Sequence, residues 1–170
     1  AKAVLELLQS WWNSGFLQQP DLRFGIVTPF RRQVEHIGDT LRRQPWWEEI
    51  HGRLILGTAH QFQGDECDVM VFSPVVSAGM RENTKKWLIS TEHLLNVAIT
   101  RARGVLHVVG DRQACEAAGG LLGEFSTYVN EMSAPPPSAA GNPIQTRMAE
   151  LLAGSGLWYC PQFPVGRDRF

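Results

Sequence analysis

Residues 54–72 read LILGTAHQFQGDECDVMVF, which is two short apolar runs separated by a polar segment that contains a glycine. The runs at 54–56 and 69–72 have no polar residue, as is typical of strands that are buried on both faces of a sheet. Similar apolar runs occur at 24–27 (FGIV) and 105–109 (VLHVV). Short apolar strands that alternate with helical segments predict an α/β fold, with a mainly parallel sheet covered by helices on both faces.

Helical segments lie between these strands. Apolar residues at helical spacing predict a helix over 4–12. After the strand at 24–27, a second helix is predicted to run to about Arg43, with Thr28 as its N-cap and Pro29 in its first turn. Further helices are expected over 94–102 and 121–132. Because ligands of parallel sheets usually bind at the carboxyl ends of strands, we expect functional residues there.

The composition divides the chain into three parts. A length of 170 residues with 44% hydrophobic residues is enough for one sizeable core. The stretch SAPPPSAAGN at 133–142 is typical of a linker that packs poorly. We therefore predict one domain over 1–132, a linker over 133–142 and the beginning of another domain over 143–170. A start without Met and an end at Phe170 in a strand-like stretch predict a fragment of a longer protein.

Charge and cysteine content exclude several classes of protein. Sixteen basic and seventeen acidic residues give a net charge of -1, so any binding of nucleic acid must be local. No apolar run reaches the roughly 18 residues that span a bilayer, and no signal peptide is evident, so we predict a soluble, cytoplasmic protein without a membrane partner.

Cys67, Cys115 and Cys160 lack metal-ligand spacing and are predicted to be reduced thiols, with no metal site.

Three polar segments carry the candidate chemistry: TPFRRQ at 28–33, GTAHQFQGDE at 57–66 and NVAITRAR at 96–103. In the middle segment a glycine lets the backbone approach a ligand closely, and Glu66 offers an acceptor for a hydroxyl group. On an ideal helix the two arginines of the third segment lie about 200° apart, so at most one would reach a given phosphate. Taken alone, the middle segment is more typical of a solvated loop, and the arginines of the third segment are more typical of surface salt bridges.

The chain has no nucleotide-binding loop of its own. The nearest match to GxxxxGK[ST] is GRLILGTA at 52–59, which lacks the lysine and lies along an apolar strand instead of a loop. Asp65 and Glu66 follow a glycine turn, not an apolar strand, so they do not form the usual Mg²⁺-holding pair. We predict that the chain cannot hydrolyse a nucleotide unaided.

Taken together and in this order, TPFRRQ, GTAHQFQGDECDVMVFS and NVAITRAR followed by VLHVVGD resemble motifs IV, V and VI of superfamily 1 helicases. The resemblance covers about residues 22–111. It implies a three-layer RecA-like domain of the P-loop NTPase type, the second of two in an ATP-dependent helicase. The upstream RecA-like domain would carry the Walker motifs and would hold most of the ATP and its Mg²⁺.

The resemblance also implies roles for individual residues. Arg101 matches the arginine finger that contacts the γ-phosphate of ATP, and it is the expected catalytic residue. The expected nucleotide-binding residues are Gly64, Glu66, Arg103, Gln33 and Arg32.

A second set of residues matches positions that hold nucleic acid in the same family. Thr28 and Thr58 match contacts to the backbone of a single strand, with DNA preferred to RNA, and such contacts are independent of sequence and sensitive to salt. His60 belongs to this set and stands where many relatives carry an acidic residue. The implied partners are a single strand and the upstream RecA-like domain.

The tail NPIQTRMAELLAGSGLWYCPQFPVG resembles the opening of restriction-endonuclease-like domains of the very-short-patch-repair type. Those nucleases carry a glutamate where Gln145 stands and a strand acid that would fall beyond Phe170. No two-carboxylate metal site can therefore form within this chain. The alternatives to the motor domain are a catalytically idle RecA-like module that binds nucleic acid or protein, and part of a helicase-nuclease fusion. The paired tryptophans are predicted to pack within the fold.

Overall fold

The structure is a computed structural model, and it describes residues 1–62, 64–77, 79–90 and 92–133 together with two short strands at 164–165 and 168–169. Two compact units divide the chain, Ala1–Ser126 and Thr127–Phe170. Residues 134–142 of the predicted linker and the nuclease position Gln145 lie outside the described residues.

A sheet of four parallel strands forms the centre of the first unit. The strands are β1 (Phe24–Val27), β2 (Leu54–Gly57), β3 (Cys67–Phe72) and β4 (Ala102–Val108), in the spatial order β2-β1-β3-β4. All four of the apolar runs that were predicted to be strands are strands. The predicted α/β fold of the RecA-like type is therefore confirmed.

Seven helices accompany the described strands: α1 (Lys2–Asn13), α2 (Arg31–Arg42), α3 (Trp47–Ile50), α4 (Glu82–Ile89), α5 (Glu92–Thr100), α6 (Arg112–Ala118) and α7 (Gly120–Ser133). Single 3₁₀ turns cover Phe16–Gln18, His51–Arg53 and Ala59–Phe62. In the second unit, β5 (Pro164–Val165) pairs with β6 (Asp168–Arg169) in antiparallel fashion.

Alternate residues of β3 divide the core into two layers. Val69 and Val71 belong to a cluster with residues of α1 and α2, whereas Met70 and Phe72 belong to a cluster with residues of α5 and α6. Successive side chains of a strand point to opposite faces, so both faces of the sheet must be covered. The two clusters confirm the predicted helices on both faces.

The predicted N-cap of the second helix is wrong. Helix α2 begins at Arg31, and the preceding Phe30 has extended backbone and makes no side-chain cap. Thr28 instead continues the sheet, because its N–H donates to the carbonyl of Gly57 at 3.1 Å and its side chain is completely buried. Pairing with the neighbouring strand therefore prevails over the local capping preference of threonine.

The predicted helix through the third motif also ends earlier than expected. Helix α5 stops at Thr100, and strand β4 begins at Ala102. The helix ends there because Arg101 pairs with the start of β3, where the N–H of Cys67 donates to the carbonyl of Arg101 at 2.9 Å. Arg103 therefore lies in a strand, and the helical angle of about 200° between the two arginines does not apply.

Helix α6 was not predicted, although its start has a clear local cause. The carboxylate of Asp111 accepts a hydrogen bond from the N–H of Ala114 at 3.0 Å, which is a standard N-cap.

The tryptophan pairs pack within the fold, as predicted. Trp46 is buried, its ring stacks on Trp12 with centroids 6.0 Å apart, and its Nε1 donates to Gln9 at 3.0 Å. Cys67 and Cys115 are buried free thiols, which agrees with the prediction of reduced thiols, and burial raises the pKa of Cys115 to about 11. Cys160 lies outside the described residues. Among the helices of the described part, none is long and apolar enough to cross a bilayer.

Gly25 provides a test of how tightly β1 packs against β3 and the 3₁₀ turn at Ala59–Phe62. A Cβ atom at this position of β1 would collide with Sδ of Met70 and would lie 3.0 Å from both Cys67 and Phe62. We therefore expect Gly25→Ala to lower the free energy of unfolding by about 1–3 kcal/mol through overpacking, measured by urea denaturation.

Gly52→Ala is the matched control, because a Cβ there meets no atom of the described residues within 4 Å. Its free energy of unfolding should change by less than about 0.5 kcal/mol. Equal denaturation midpoints for the two variants would contradict this account of the core.

Candidate functional site

All four strands run in the same direction, so the predicted site residues lie at two opposite ends of the sheet. We call the end at which the strands finish the carboxyl edge and the end at which they begin the amino edge. Thr28 and Thr58 directly follow the carboxyl ends of β1 and β2. Glu66 and Arg101 directly precede the amino ends of β3 and β4. Strands of four to seven residues at about 3.3 Å per residue separate the two edges by roughly 13–23 Å.

At the carboxyl edge, backbone hydrogen bonds and one glutamine hold the two threonines. The N–H of Thr58 donates to Oε1 of Gln61 at 2.8 Å, and the carbonyl of Thr58 accepts from the N–H of Gln61 at 2.9 Å. This tight turn needs Gly57, because a Cβ there would lie 2.6 Å from Oε1 of Gln61. Thr58 is partly exposed and His60 is exposed, whereas Thr28 is fully buried.

Arg32 and Gln33 lie in the first turn of α2, which follows β1 at the carboxyl edge. Arg32 is exposed, and the N–H of Gln33 donates to the carbonyl of Phe30 at 2.9 Å. The structure therefore places these two predicted nucleotide-binding residues beside the threonines and not beside Glu66.

At the amino edge, an ion pair joins two of the predicted nucleotide-binding residues. Nε of Arg103 donates to Oε2 of Glu66 at 2.8 Å. Gly64 lies two residues before Glu66 and has a positive φ of 93°, and no heavy atom of the described residues lies within 4 Å of a Cβ placed there, so the turn is open on that side. The structure thus brings Gly64, Glu66, Arg101 and Arg103 to one edge.

A bulge between β3 and β4 accompanies this ion pair. Cys67 lies opposite Ala102, but Val69 lies opposite Val105, so Asp68 faces two residues of β4. An extra residue of this kind changes the direction in which the neighbouring side chains point, and bulges are frequent next to functional sites. Gly104 fits the bulge because a Cβ there would lie 3.1 Å from the carbonyl of Asp68.

The ion pair sets the electrostatics of the amino edge. The hydrogen bond from Arg103 and its charge lower the pKa of Glu66, and the more distant charge of Arg101 adds to this effect. In return, the hydrogen bond to Glu66 raises the pKa of Arg103. Glu66 is therefore held as a carboxylate, which is the form that accepts hydrogen bonds from ligand hydroxyl groups.

A second set of charged residues supports the same loop and was not found from the sequence. Arg23 lies 3.6 Å from the carboxylate of Asp65, and its backbone N–H donates to Asp68 at 2.8 Å. Arg23 directly precedes β1, more than 40 residues from these aspartates. No local pattern could signal this contact, because the parallel pairing of β1 with β3 creates it.

In the part of the chain that the structure describes, two buried side-chain polar atoms have no hydrogen-bond partner. They are Oγ1 of Thr28 and Nε of Arg101. Such groups are rare in native proteins and call for a specific explanation, because an unsatisfied buried group is costly. Both belong to the residues that the sequence singled out. No group of three or more His, Cys, Asp or Glu residues that could hold a metal ion occurs among the described residues.

Comparisons with known proteins identify the family of this chain. Residues 1–113 match the family described as the AAA domain, and because the match covers more than half of the chain, the chain belongs to that family. It is 33% identical over 117 residues to the MOV-10 protein of Gallus gallus, which covers 62% of this chain and 12% of that protein. It is 31% identical over 113 residues to the DNA polymerase alpha-associated DNA helicase A of Saccharomyces cerevisiae, with coverages of 66% and 16%.

A third relative is the human RNA helicase Mov10l1, which is 33% identical over 90 residues, 51% of this chain and 7% of that protein. The chain therefore spans less than a fifth of the length of each of these relatives. Together the family match and the helicase relatives define a domain of the superfamily 1 helicase type.

The contact between Arg103 and Glu66 predicts a measurable titration. We expect Arg103→Ala to raise the pKa of Glu66 toward its ordinary value, because the variant removes both the hydrogen bond and the nearest positive charge. NMR titration of the side-chain carboxyl groups measures this shift. The pair lowers the pKa of Glu66 on folding, so its stabilising contribution is present above the ordinary pKa of a glutamate and is lost as the pH falls.

Arg42→Ala is the control, because Arg42 forms an ion pair of the same length, 2.8 Å, with Asp39 on helix α2. It should leave the pKa of Glu66 unchanged. If both variants leave that pKa unchanged, the Glu66–Arg103 contact is not formed in solution.

Proposed function

We propose that this chain is the second motor domain of an ATP-dependent superfamily 1 helicase. The amino edge of its sheet would complete an ATP site, and the carboxyl edge would hold a single strand. ATP and its Mg²⁺ would be bound mainly by an upstream RecA-like domain of the same polypeptide, which would carry the Walker motifs.

The observation that carries this proposal is the position of the two unsatisfied polar atoms. Nε of Arg101 lies at the amino edge and Oγ1 of Thr28 lies at the carboxyl edge. One edge therefore has an unsatisfied cationic donor, and the other has an unsatisfied hydroxyl group. This division matches a domain that faces a nucleotide on one side and a nucleic-acid backbone on the other.

On the nucleotide side, we assign each residue a separate role. Arg101 would contact the γ-phosphate and neutralise the charge that develops during phosphoryl transfer. Glu66 would accept a hydrogen bond from the ribose, and the open turn at Gly64 would let the backbone approach the nucleotide. Arg103 would hold the carboxylate of Glu66 in place, because its Nε is already bound to that carboxylate.

On the strand side, Thr58 and His60 are accessible and would contact the sugar-phosphate backbone directly. The side chain of Thr28 is completely buried, so its hydroxyl would reach a phosphate only after the residues that cover it move. Arg32 is exposed at the same edge and would contribute a charge that attracts phosphate.

The strand is proposed to be single-stranded DNA. The relatives include a protein named as a DNA helicase and one named as an RNA helicase, so the comparisons support a nucleic-acid strand of either kind. Only RNA carries a 2′-hydroxyl group that a protein can use for discrimination. Competition between DNA and RNA oligomers of equal length and sequence therefore decides this part of the proposal.

The role of Arg101 is tested in the polypeptide that joins this chain to its Walker-motif domain. We expect Arg101→Ala to lower strand-stimulated ATP turnover at saturating ATP by about a hundredfold or more, because an arginine finger acts mainly on the transition state. Binding of the single strand should be retained.

Arg42→Ala serves again as the matched control, since its guanidinium is exposed and paired with Asp39 on α2. Its turnover should equal that of the unmodified protein. Unchanged turnover in Arg101→Ala would remove Arg101 from catalysis. Absence of turnover in every protein, with strand binding intact, would instead identify an idle RecA-like binding module.

A further inference from the structure

Trp87 is exceptional among the tryptophans of the described part of the chain. Its side chain is 48% exposed on helix α4, whereas Trp46 is 1% exposed and Trp11 is 9% exposed. The ring of Trp87 pairs with Phe30, with centroids 5.6 Å apart and planes inclined by 40°. Two aromatic rings therefore form a surface that is partly open to solvent.

This aromatic surface adjoins the carboxyl edge of the sheet. Phe30 lies two residues after the buried Thr28 and immediately before the first turn of α2. A strand that contacts Thr58 and Arg32 at this edge would therefore pass close to the ring pair.

Basic residues lie close in sequence to both rings. Arg31 and Arg32 follow Phe30 in α2, and both are exposed. Arg81, Lys85 and Lys86 lie beside or within the helix that carries Trp87. The nearby acids are Glu82, which is 3.9 Å from Lys85, and Glu35. The local charge is therefore positive, although the whole chain has a net charge of -1.

We infer that Phe30 and Trp87, together with the basic residues of the same two segments, form a binding site for a nucleobase of the single strand. A single strand offers an anionic backbone together with flat apolar bases, and this surface combines positive charge with aromatic rings. Stacking on an aromatic ring is tolerant of base identity, because every base has a π-face. The inference rests on the proposed strand-binding role of the carboxyl edge and adds a contact to the bases.

The test measures binding of the 170-residue chain to two labelled strands by fluorescence anisotropy at low salt. One probe is a 12-nucleotide oligothymidylate, and the other is a 12-mer of the same backbone with abasic positions. We expect Trp87→Ala to weaken binding of the oligothymidylate about tenfold, within the range of a single base–aromatic stack. It should change binding of the abasic strand by less than twofold.

Two variants control for structural effects. Trp87→Phe keeps an aromatic ring and should restore most of the affinity for the oligothymidylate. Tyr128→Ala removes a ring that is 52% exposed on helix α7 and should change neither affinity. Circular dichroism melting curves establish that each variant is folded.

The possible outcomes separate this inference from the proposed function. Equal weakening on both strands by Trp87→Ala would overturn the stacking role, because the effect would not depend on bases. No weakening on either strand, while Thr58→Ala weakens both, would also overturn it and would leave the surface to a protein partner. Failure of the unmodified chain to bind either strand would overturn the proposed strand-binding edge together with this inference.

Discussion

The parallel pairing of β3 between β1 and β4 is the constraint on which the rest of the structure depends. Parallel strands place all their amino ends at one edge of the sheet and all their carboxyl ends at the other. Residues that directly precede a strand therefore cannot share an edge with residues that directly follow one. This constraint alone separates Glu66 and Arg101 from Thr28 and Thr58.

Every connection between strands of this sheet runs from the carboxyl edge to the amino edge, and the shortest one joins β2 to β3. The segment from Thr58 to Glu66 leaves the carboxyl end of β2 and arrives at the amino end of β3. Its 3₁₀ turn is anchored by Ala59 and Phe62, both of which are buried in the same apolar cluster as residues of α5. Helix α5 ends immediately before Arg101. The proposed strand contact and the proposed nucleotide contacts are thus joined by a short stretch that two buried side chains anchor, which gives a physical route for coupling between the two edges.

The residues of the candidate site could be proposed from the sequence because three motifs follow one another in a fixed order. The contacts between those residues could not be predicted, and the structure shows why. Glu66 and Arg103 are 37 residues apart, and only the pairing of β3 with β4 brings them to 2.8 Å. Arg23 joins Asp65 and Asp68 through the pairing of β1 with β3. The errors at Thr28 and Arg103 have the same origin, since hydrogen bonds to a neighbouring strand prevailed over local helix preferences at both positions.

The sequence by itself determined the strands, the class of fold and the motifs, because apolar runs and turn residues are local properties of the chain. Helices α1 and α2 were likewise evident from the spacing of their apolar residues, because a helix that covers a sheet turns one apolar face toward the core. Only the tertiary structure decided which motif residues meet, where the helix before β4 ends and that Trp87 stays exposed beside Phe30. Those features depend on strand order, register and packing between distant segments, and no window of local sequence contains that information.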